Sequence, residues 1–174
     1  MSSSNSSGKI QIDLLKHERE VLAMMPAVTT VTGYSTVDRT APVSFLRNKI
    51  RELLLKNPWL TGRLESKTDT CDLIVCFKDI STEHETVLES IVDEHFTYED
   101  NFKLDASCEY ESLVSQFQRF HVKSGKKCVD ENEQLFKVSV LNIRDMNKIF
   151  LVFSLSHILA DGYTFYKLQN MMDR

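Results

Sequence analysis

The residues best suited to chemistry lie near the end of the sequence, where His157 is followed four residues later by Asp161 and then by Gly162. An imidazole has a pKa close to neutrality, so it can accept a proton at physiological pH and return it later. The apolar run 149–153 predicts a buried strand just before His157, and strand ends that face loops often carry reactive groups. A histidine that is merely hydrogen-bonded at the end of a sheet would give the same pattern, so both interpretations stay open.

The residues after His157 indicate which kind of site it could serve. A carboxylate such as Asp161 can orient a histidine base, and Gly162 would permit a tight turn into a following helix. A metal site built on His157 and Asp161 would need a third ligand at suitable spacing, and the sequence offers none. The sequence therefore predicts proton transfer without a metal.

Periodicity identifies the elements that must position this segment. Residues 43–56 give the clearest helical pattern, with apolar residues on one face and an Asn-Pro stop directly after it. Residues 149–156 are nearly all apolar, which predicts a strand buried on both faces. The further predicted strands are 27–37, 73–77 and 135–143, and the further predicted helices are 84–96, 109–121 and one after Gly162. Together they predict an α+β fold with several strands in one sheet and helices packed against it.

Three segments resemble one known superfamily. Residues 156–162, Ser-His-Ile-Leu-Ala-Asp-Gly, look like the His-x-x-x-Asp-Gly hallmark of chloramphenicol acetyltransferase, peptide-synthetase condensation domains, plant BAHD acyltransferases, wax ester synthases and alcohol acetyltransferases. Residues 57–64, Asn-Pro-Trp-Leu-Thr-Gly-Arg-Leu, are similar to the early family segment His-Pro-x-Leu-x-x-Arg-Leu. The predicted hairpin of 135–143 and 149–156 resembles the one that delivers the hallmark. Ser156 stands where many members have a first histidine.

The resemblance implies a particular architecture. It predicts the N-terminal half of the chloramphenicol-acetyltransferase-like fold, a two-layer sandwich of a largely antiparallel or mixed sheet with helices on one face. The predicted organisation is a disordered Ser-rich tail over 1–9 and an acyltransferase subdomain over 10–174, with the second half of the family architecture missing.

The resemblance also implies a reaction. An acyl group would move from a thioester, with acyl-CoA favoured over a carrier-protein thioester, to an alcohol or amine, and His157 would be the general base. Coenzyme A thioester would be a co-substrate, and no bound cofactor is expected. Asp161 would pair with Arg63 and hold the turn in shape rather than orient the base. Gly162 would allow close backbone approach beside the reaction tunnel, and Ser156 could line that tunnel or pack as a small residue at the strand end.

Composition excludes some functions and leaves one rival open. The net charge of −4 and the pI of about 5.7 argue against a nucleic-acid partner. The four cysteines show no metal spacing, which favours reduced structural thiols and a cytoplasmic protein without a transmembrane segment. His17, His84, His95 and His121 are predicted to be surface or helix-face residues. The rival function is a non-catalytic binding or regulatory module, or a fragment, that needs a partner or a dimer to bury its tunnel face.

Overall fold

The structure is a computed structural model that describes residues 8–35, 41–70, 72–143 and 147–172. The helices are α1 (Lys16–Glu20), α2 (Ala41–Lys56), α3 (Glu85–His95), α4 (Tyr110–Phe117) and α5 (Gly162–Asn170), and the strands are β1 (Lys9–Asp13), β2 (Val28–Ser35), β3 (Arg63–Ser66), β4 (Leu73–Lys78), β5 (Phe96–Glu99), β6 (Phe136–Ile143) and β7 (Lys148–Leu155).

A four-stranded sheet in the order β2-β7-β6-β5 forms the centre of the described structure. β7 runs antiparallel to both β2 and β6, and β5 runs parallel to β6. Seven of the eight β7 residues are at least partly buried, because the strand is covered on both faces. Three further strands form a second, antiparallel sheet in the order β1-β4-β3. The sequence predicted one sheet, so this second sheet is a difference from the prediction.

The largest core fills one face of the four-stranded sheet. Inward residues of β6 and β7 pack there against apolar residues of α2, α3 and α5. Phe153 of β7 meets Phe136 of β6 and Phe165 of α5 in edge-to-face contacts, with ring centroids 5.2 and 5.3 Å apart. These contacts fix α5 against the strand that leads to His157, in the geometry that aromatic rings prefer.

The opposite face of the same sheet is covered by other residues. Phe102, Phe117 and Phe120 pack there against Leu141 and Val152. The sequence placed helices on one face, whereas α4 and the 3₁₀ turn after it cover the second face as well. The predicted fold class is confirmed, and the sheet here is a middle layer between helices.

Two predicted segments, the N-terminal tail and the hairpin turn, fall partly outside the described residues. Residues 1–7 of the predicted tail lie outside the described residues, and Lys9 already begins β1. The centre of the predicted hairpin turn, 144–146, also lies outside them, but β6 and β7 pair from Ile143 opposite Lys148 onward, as a hairpin requires. No helix in the described part of the chain is long and apolar enough to cross a membrane.

Candidate active site

His157 lies in a tight turn directly after β7. The backbone N–H of Ser156 donates to the carbonyl of Leu135 at 2.8 Å, which continues the pairing with the residue before β6. The N–H of Leu159 then donates to the carbonyl of Ser156 at 3.0 Å and closes the turn around His157. The chain thus leaves the sheet at Ser156 and presents His157 as the second residue of a hydrogen-bonded turn.

The turn is anchored in two separate cores. Ile158 is buried in a cluster with Leu64 of β3 and Val75 of β4, and Ala160 is buried in the large core that includes α5 residues. Leu159 contacts both clusters. Since the neighbours on its C-terminal side all point into the protein, the backbone of His157 is held while its side chain stays half-exposed.

The ring of His157 has no hydrogen-bond or ion-pair partner among the described residues, although Asp161 is only four residues away. The alternative of a histidine hydrogen-bonded at the end of the sheet is therefore not what the described structure shows. Both ring nitrogens remain available to a molecule that approaches from solvent, as a general base requires.

Asp161 is the N-cap of α5. Its carboxylate accepts a hydrogen bond from the N–H of Thr164 at 2.8 Å, and this bond lowers the pKa of Asp161 below its ordinary value. Asp161 is exposed and forms no ion pair with an arginine among the described residues. The predicted pair with Arg63 is not formed there, because the side chain of Asp161 turns back onto its own helix, where a carboxylate satisfies a free N–H.

Arg63 lies elsewhere and has other partners. Its guanidinium donates to the carbonyls of Thr61 at 2.9 Å and Asn132 at 3.1 Å, and it pairs with Glu94 at 3.0 Å. These bonds join the start of β3 to the end of α3 and to the loop before β6. Arg63 is therefore a structural residue of the smaller sheet and does not hold the His157 turn in the described structure.

The role of Asp161 as the N-cap of α5 leads to a prediction about the thermal stability of its variants. We expect Asp161→Asn to leave the melting temperature almost unchanged, because asparagine caps helices as well as aspartate does. Asp161→Ala should lower the melting temperature by about a few degrees, since Thr164 loses its acceptor. Thermal unfolding of both variants checks this, and an equally large loss in both would favour an ion pair of Asp161 instead.

Ser156 is enclosed by its own chain, whereas Gly162 has open space around it. Ser156 is 1% exposed, and its Oγ lies 3.5 Å from the N–H of Ile158, so within the described structure it is a small residue packed at the strand end. A Cβ added at Gly162 would meet no atom within 4 Å, and the residue has no positive φ. Close approach within the chain therefore does not require glycine at position 162.

Glycine is required instead at Gly125, which the sequence did not single out. A Cβ at this position would overlap Ile158 Cδ1 and would lie 3.2 Å from the Cα of Ala23. Both neighbours are buried, and Ala23 contributes backbone, so neither can move easily. The 3₁₀ turn Gly125–Lys127 therefore packs directly on the residue that follows His157.

These two glycines give a matched pair of variants. Gly125→Ala should destabilise the protein by about 1–3 kcal/mol, because the added methyl group overpacks the Ile158 cluster. Gly162→Ala should be neutral or stabilising by up to about 1 kcal/mol, because the helix start has room and the unfolded chain loses freedom. Denaturant unfolding of both variants measures the difference, and equal stabilities would contradict the packing described for Ile158.

The other histidines and the cysteines complete the inventory of reactive side chains. His95, predicted as a surface or helix-face residue, lies on the buried face of α3 and is only 1% exposed; its Nδ1 lies 2.9 Å from the carbonyl of Ile91, and burial lowers its pKa. The described cysteines, Cys76, Cys108 and Cys128, are free, and burial raises the pKa of the Cys128 thiol to about 11. Cys71 lies outside the described residues. No group of metal-ligating side chains occurs within the described ranges.

Similar folds occur among solved structures. Trichothecene 15-O-acetyltransferase TRI3 from Fusarium sporotrichioides matches with a TM-score of 0.66 and 12% identity, over 100% of this chain and 36% of its own. TRI101 of F. graminearum, complexed with coenzyme A and T-2 mycotoxin, matches at 0.62 and 10%, over 94% and 38%. The epimerization domain of the third module of tyrocidine synthetase B matches at 0.56 and 10%, over 96% and 35%.

These comparisons establish the fold. The chain shares it with acetyltransferases and with a peptide-synthetase domain, which confirms the predicted resemblance at the level of the fold. The chain spans little more than a third of the length of these neighbours. No protein-family model and no curated protein sequence matches it.

Proposed function

We propose that this chain is part of a thioester-dependent acyltransferase in which His157 is the general base. The observation that carries the proposal is the His157 turn. It follows the central strand β7, it is anchored by Ile158 and Ala160, and it leaves the imidazole half-exposed, with no hydrogen-bond partner among the residues that the structure describes. The fold shared with acetyltransferases, one of them solved with coenzyme A, supports this chemistry.

A single base is sufficient for all the proton transfers of this reaction. His157 removes the proton of an acceptor hydroxyl or amine as that oxygen or nitrogen attacks the thioester carbonyl carbon. The tetrahedral intermediate collapses, the carbon–sulfur bond breaks, and the departing thiolate takes the proton from the imidazolium. The products are an ester or amide and a free thiol, and His157 ends neutral, so no covalent acyl-enzyme is needed. Acyl-CoA is the favoured donor, and a cytoplasmic site fits that donor.

Asp161 and Arg63 have supporting parts in this proposal. Asp161 begins α5 immediately after the turn and thereby fixes where the turn ends. Arg63 supports the smaller sheet, whose residue Leu64 belongs to the same buried cluster as Ile158. Gly162 only begins α5, and Ser156 contributes backbone pairing at the strand end. None of these four residues is proposed to touch substrate.

The rest of the tunnel is proposed to come from a second half, on the same natural chain or on a partner. Tyr163 and Tyr166 on α5 are 69% and 59% exposed, close in sequence to the base. Such aromatic surface favours a covering element. It would equally suit the rival function, a binding module without turnover, and only turnover separates the two.

The test is acyl transfer by the full natural protein. It would be incubated with acetyl-CoA and with longer acyl-CoAs, each with a panel of alcohols and amines, and products would be detected by mass spectrometry. The proposal expects an acylated acceptor and an equal amount of free coenzyme A. If the acyl-CoA is only hydrolysed to the free acid, or if it is not consumed with any acceptor, the result would favour the binding module.

A further inference from the structure

A cavity of about 450 Å³ opens at the end of the four-stranded sheet that carries His157. One wall is the segment Pro26-Ala27, and the other contains His121, Ser124, Lys126 and Lys127. The cavity thus combines an apolar wall with a wall of nitrogen and oxygen donors, and no carboxylate is among its lining residues in the described structure.

Strand pairing places one wall of this cavity at the end of the sheet where His157 lies. Val28 of β2 pairs with Leu155 of β7, so the two residues before Val28 and the two residues after Leu155 leave the sheet at the same end. Those residues are Pro26 and Ala27 on one side and Ser156 and His157 on the other. The Pro26-Ala27 wall therefore lies at the same end of the sheet as the His157 turn.

The cationic wall is tied to the same place by two contacts. The N–H of Val122 donates to Ser154 Oγ at 3.0 Å, which fixes the start of this segment against β7. Gly125 packs on Ile158, which fixes the turn that carries Lys126 and Lys127 against the residue after His157. Both ends of the wall are therefore held on the segment 154–158.

The charge of this wall is unbalanced. Lys123 in the same segment pairs with Glu133 at 2.5 Å, whereas Lys126 and Lys127 are exposed and form no ion pair with any described residue. His121 is half-buried, and burial lowers its pKa, which favours the neutral imidazole, a form that still offers one N–H. Two ammonium groups beside a hydroxyl match the charge and acceptor oxygens of a phosphate ester.

We propose that this cavity binds a phosphate group of the thioester donor and so delivers the donor to His157. The inference rests on the proposed acyltransferase function, because it takes the ligand to be a phosphate-bearing thioester. Two donors share that chemistry: coenzyme A, through its nucleotide phosphates, and a carrier protein, through its phosphopantetheine arm. The apolar wall of Pro26 and Ala27 then contacts the uncharged part of the donor.

The experiment compares two double variants of the full natural protein by calorimetric titration. Lys126→Ala/Lys127→Ala removes the cationic wall, and Lys56→Ala/Lys103→Ala removes the same charge from exposed lysines elsewhere. We expect the first variant to weaken coenzyme A binding by about tenfold or more, since it loses two charge-assisted contacts. The control should change it by less than about threefold, and pantetheine, which has no phosphate, should bind all three proteins equally.

Fragments identify the source of the phosphate. Weaker binding of adenosine 3′,5′-bisphosphate to the first variant assigns the cavity to the nucleotide of coenzyme A, and weaker binding of 4′-phosphopantetheine alone assigns it to a carrier arm. Equal effects in both double variants, or no effect, would overturn the proposal. Binding can be measured without turnover, and His157→Ala should retain it. If the protein binds coenzyme A through these lysines but catalyses no acyl transfer, the proposed function is wrong and the phosphate site is still supported.

Discussion

Replacement of His157 by alanine is expected to lower kcat for acyl transfer by about 10²–10⁴-fold, the range that a positioned general base contributes. Stability should change by less than about 0.5 kcal/mol, because the side chain is half-exposed and has no hydrogen-bond partner in the described structure. Steady-state kinetics on the full natural protein, with unfolding measured in parallel, separates the two effects.

The control for this variant is His17→Ala. His17 is exposed on α1 and makes no side-chain hydrogen bond with the described residues. It should leave both kcat and stability unchanged. If His157→Ala retained more than about a third of wild-type kcat, His157 would not be the base. If His157→Ala unfolded the protein, the turn would depend on contacts of the imidazole that the described structure does not contain.

Phe153→Ala is expected to cost about 3–5 kcal/mol of unfolding free energy, the largest stability effect that we predict. Phe153 is 0% exposed and contacts Phe136 and Phe165 edge to face. Its removal would open a cavity between β7 and α5, where neither rigid element can collapse inward. Urea unfolding monitored by circular dichroism measures the loss.

Two further variants define what Phe153 contributes. Phe153→Leu keeps most of the apolar volume and should recover more than half of the loss. Phe45→Ala removes the same side chain from a position on α2 that is 50% exposed, and should cost less than about 1 kcal/mol. Similar losses for Phe45→Ala and Phe153→Ala would mean that the Phe136–Phe153–Phe165 contacts do not hold α5 on the sheet.

Sequence periodicity predicted the elements that carry the site. β7 and α2 were predicted within about two residues, because a nearly continuous apolar run and a long one-sided helix leave few alternatives. β5 was missed because its four residues follow α3 without a turn residue between them. The three-stranded sheet was missed because β1 finds its partner β4 only through long-range pairing, which local pattern does not encode.

The site shows the same division between local and long-range information. The position of His157 at a strand end was predictable, but the partner of Asp161 was not read correctly. An aspartate directly before a predicted helix is an N-cap signal, and it would have indicated a bond to the backbone N–H of Thr164. His95 lies four residues after the half-buried Ile91 and seven after the buried Leu88, and this spacing favours the helix face over the surface, which are the two positions predicted for it. Nothing local could reveal that Gly125 packs on Ile158.

A structure of the full natural protein with coenzyme A and an acceptor bound would test the role of His157 most directly. If His157 is the base, the acceptor hydroxyl or amine lies within about 3 Å of one of its ring nitrogens, with the thiol of coenzyme A adjacent to it. If both ligands were bound away from the His157 turn and the imidazole contacted neither of them, His157 would not be the base.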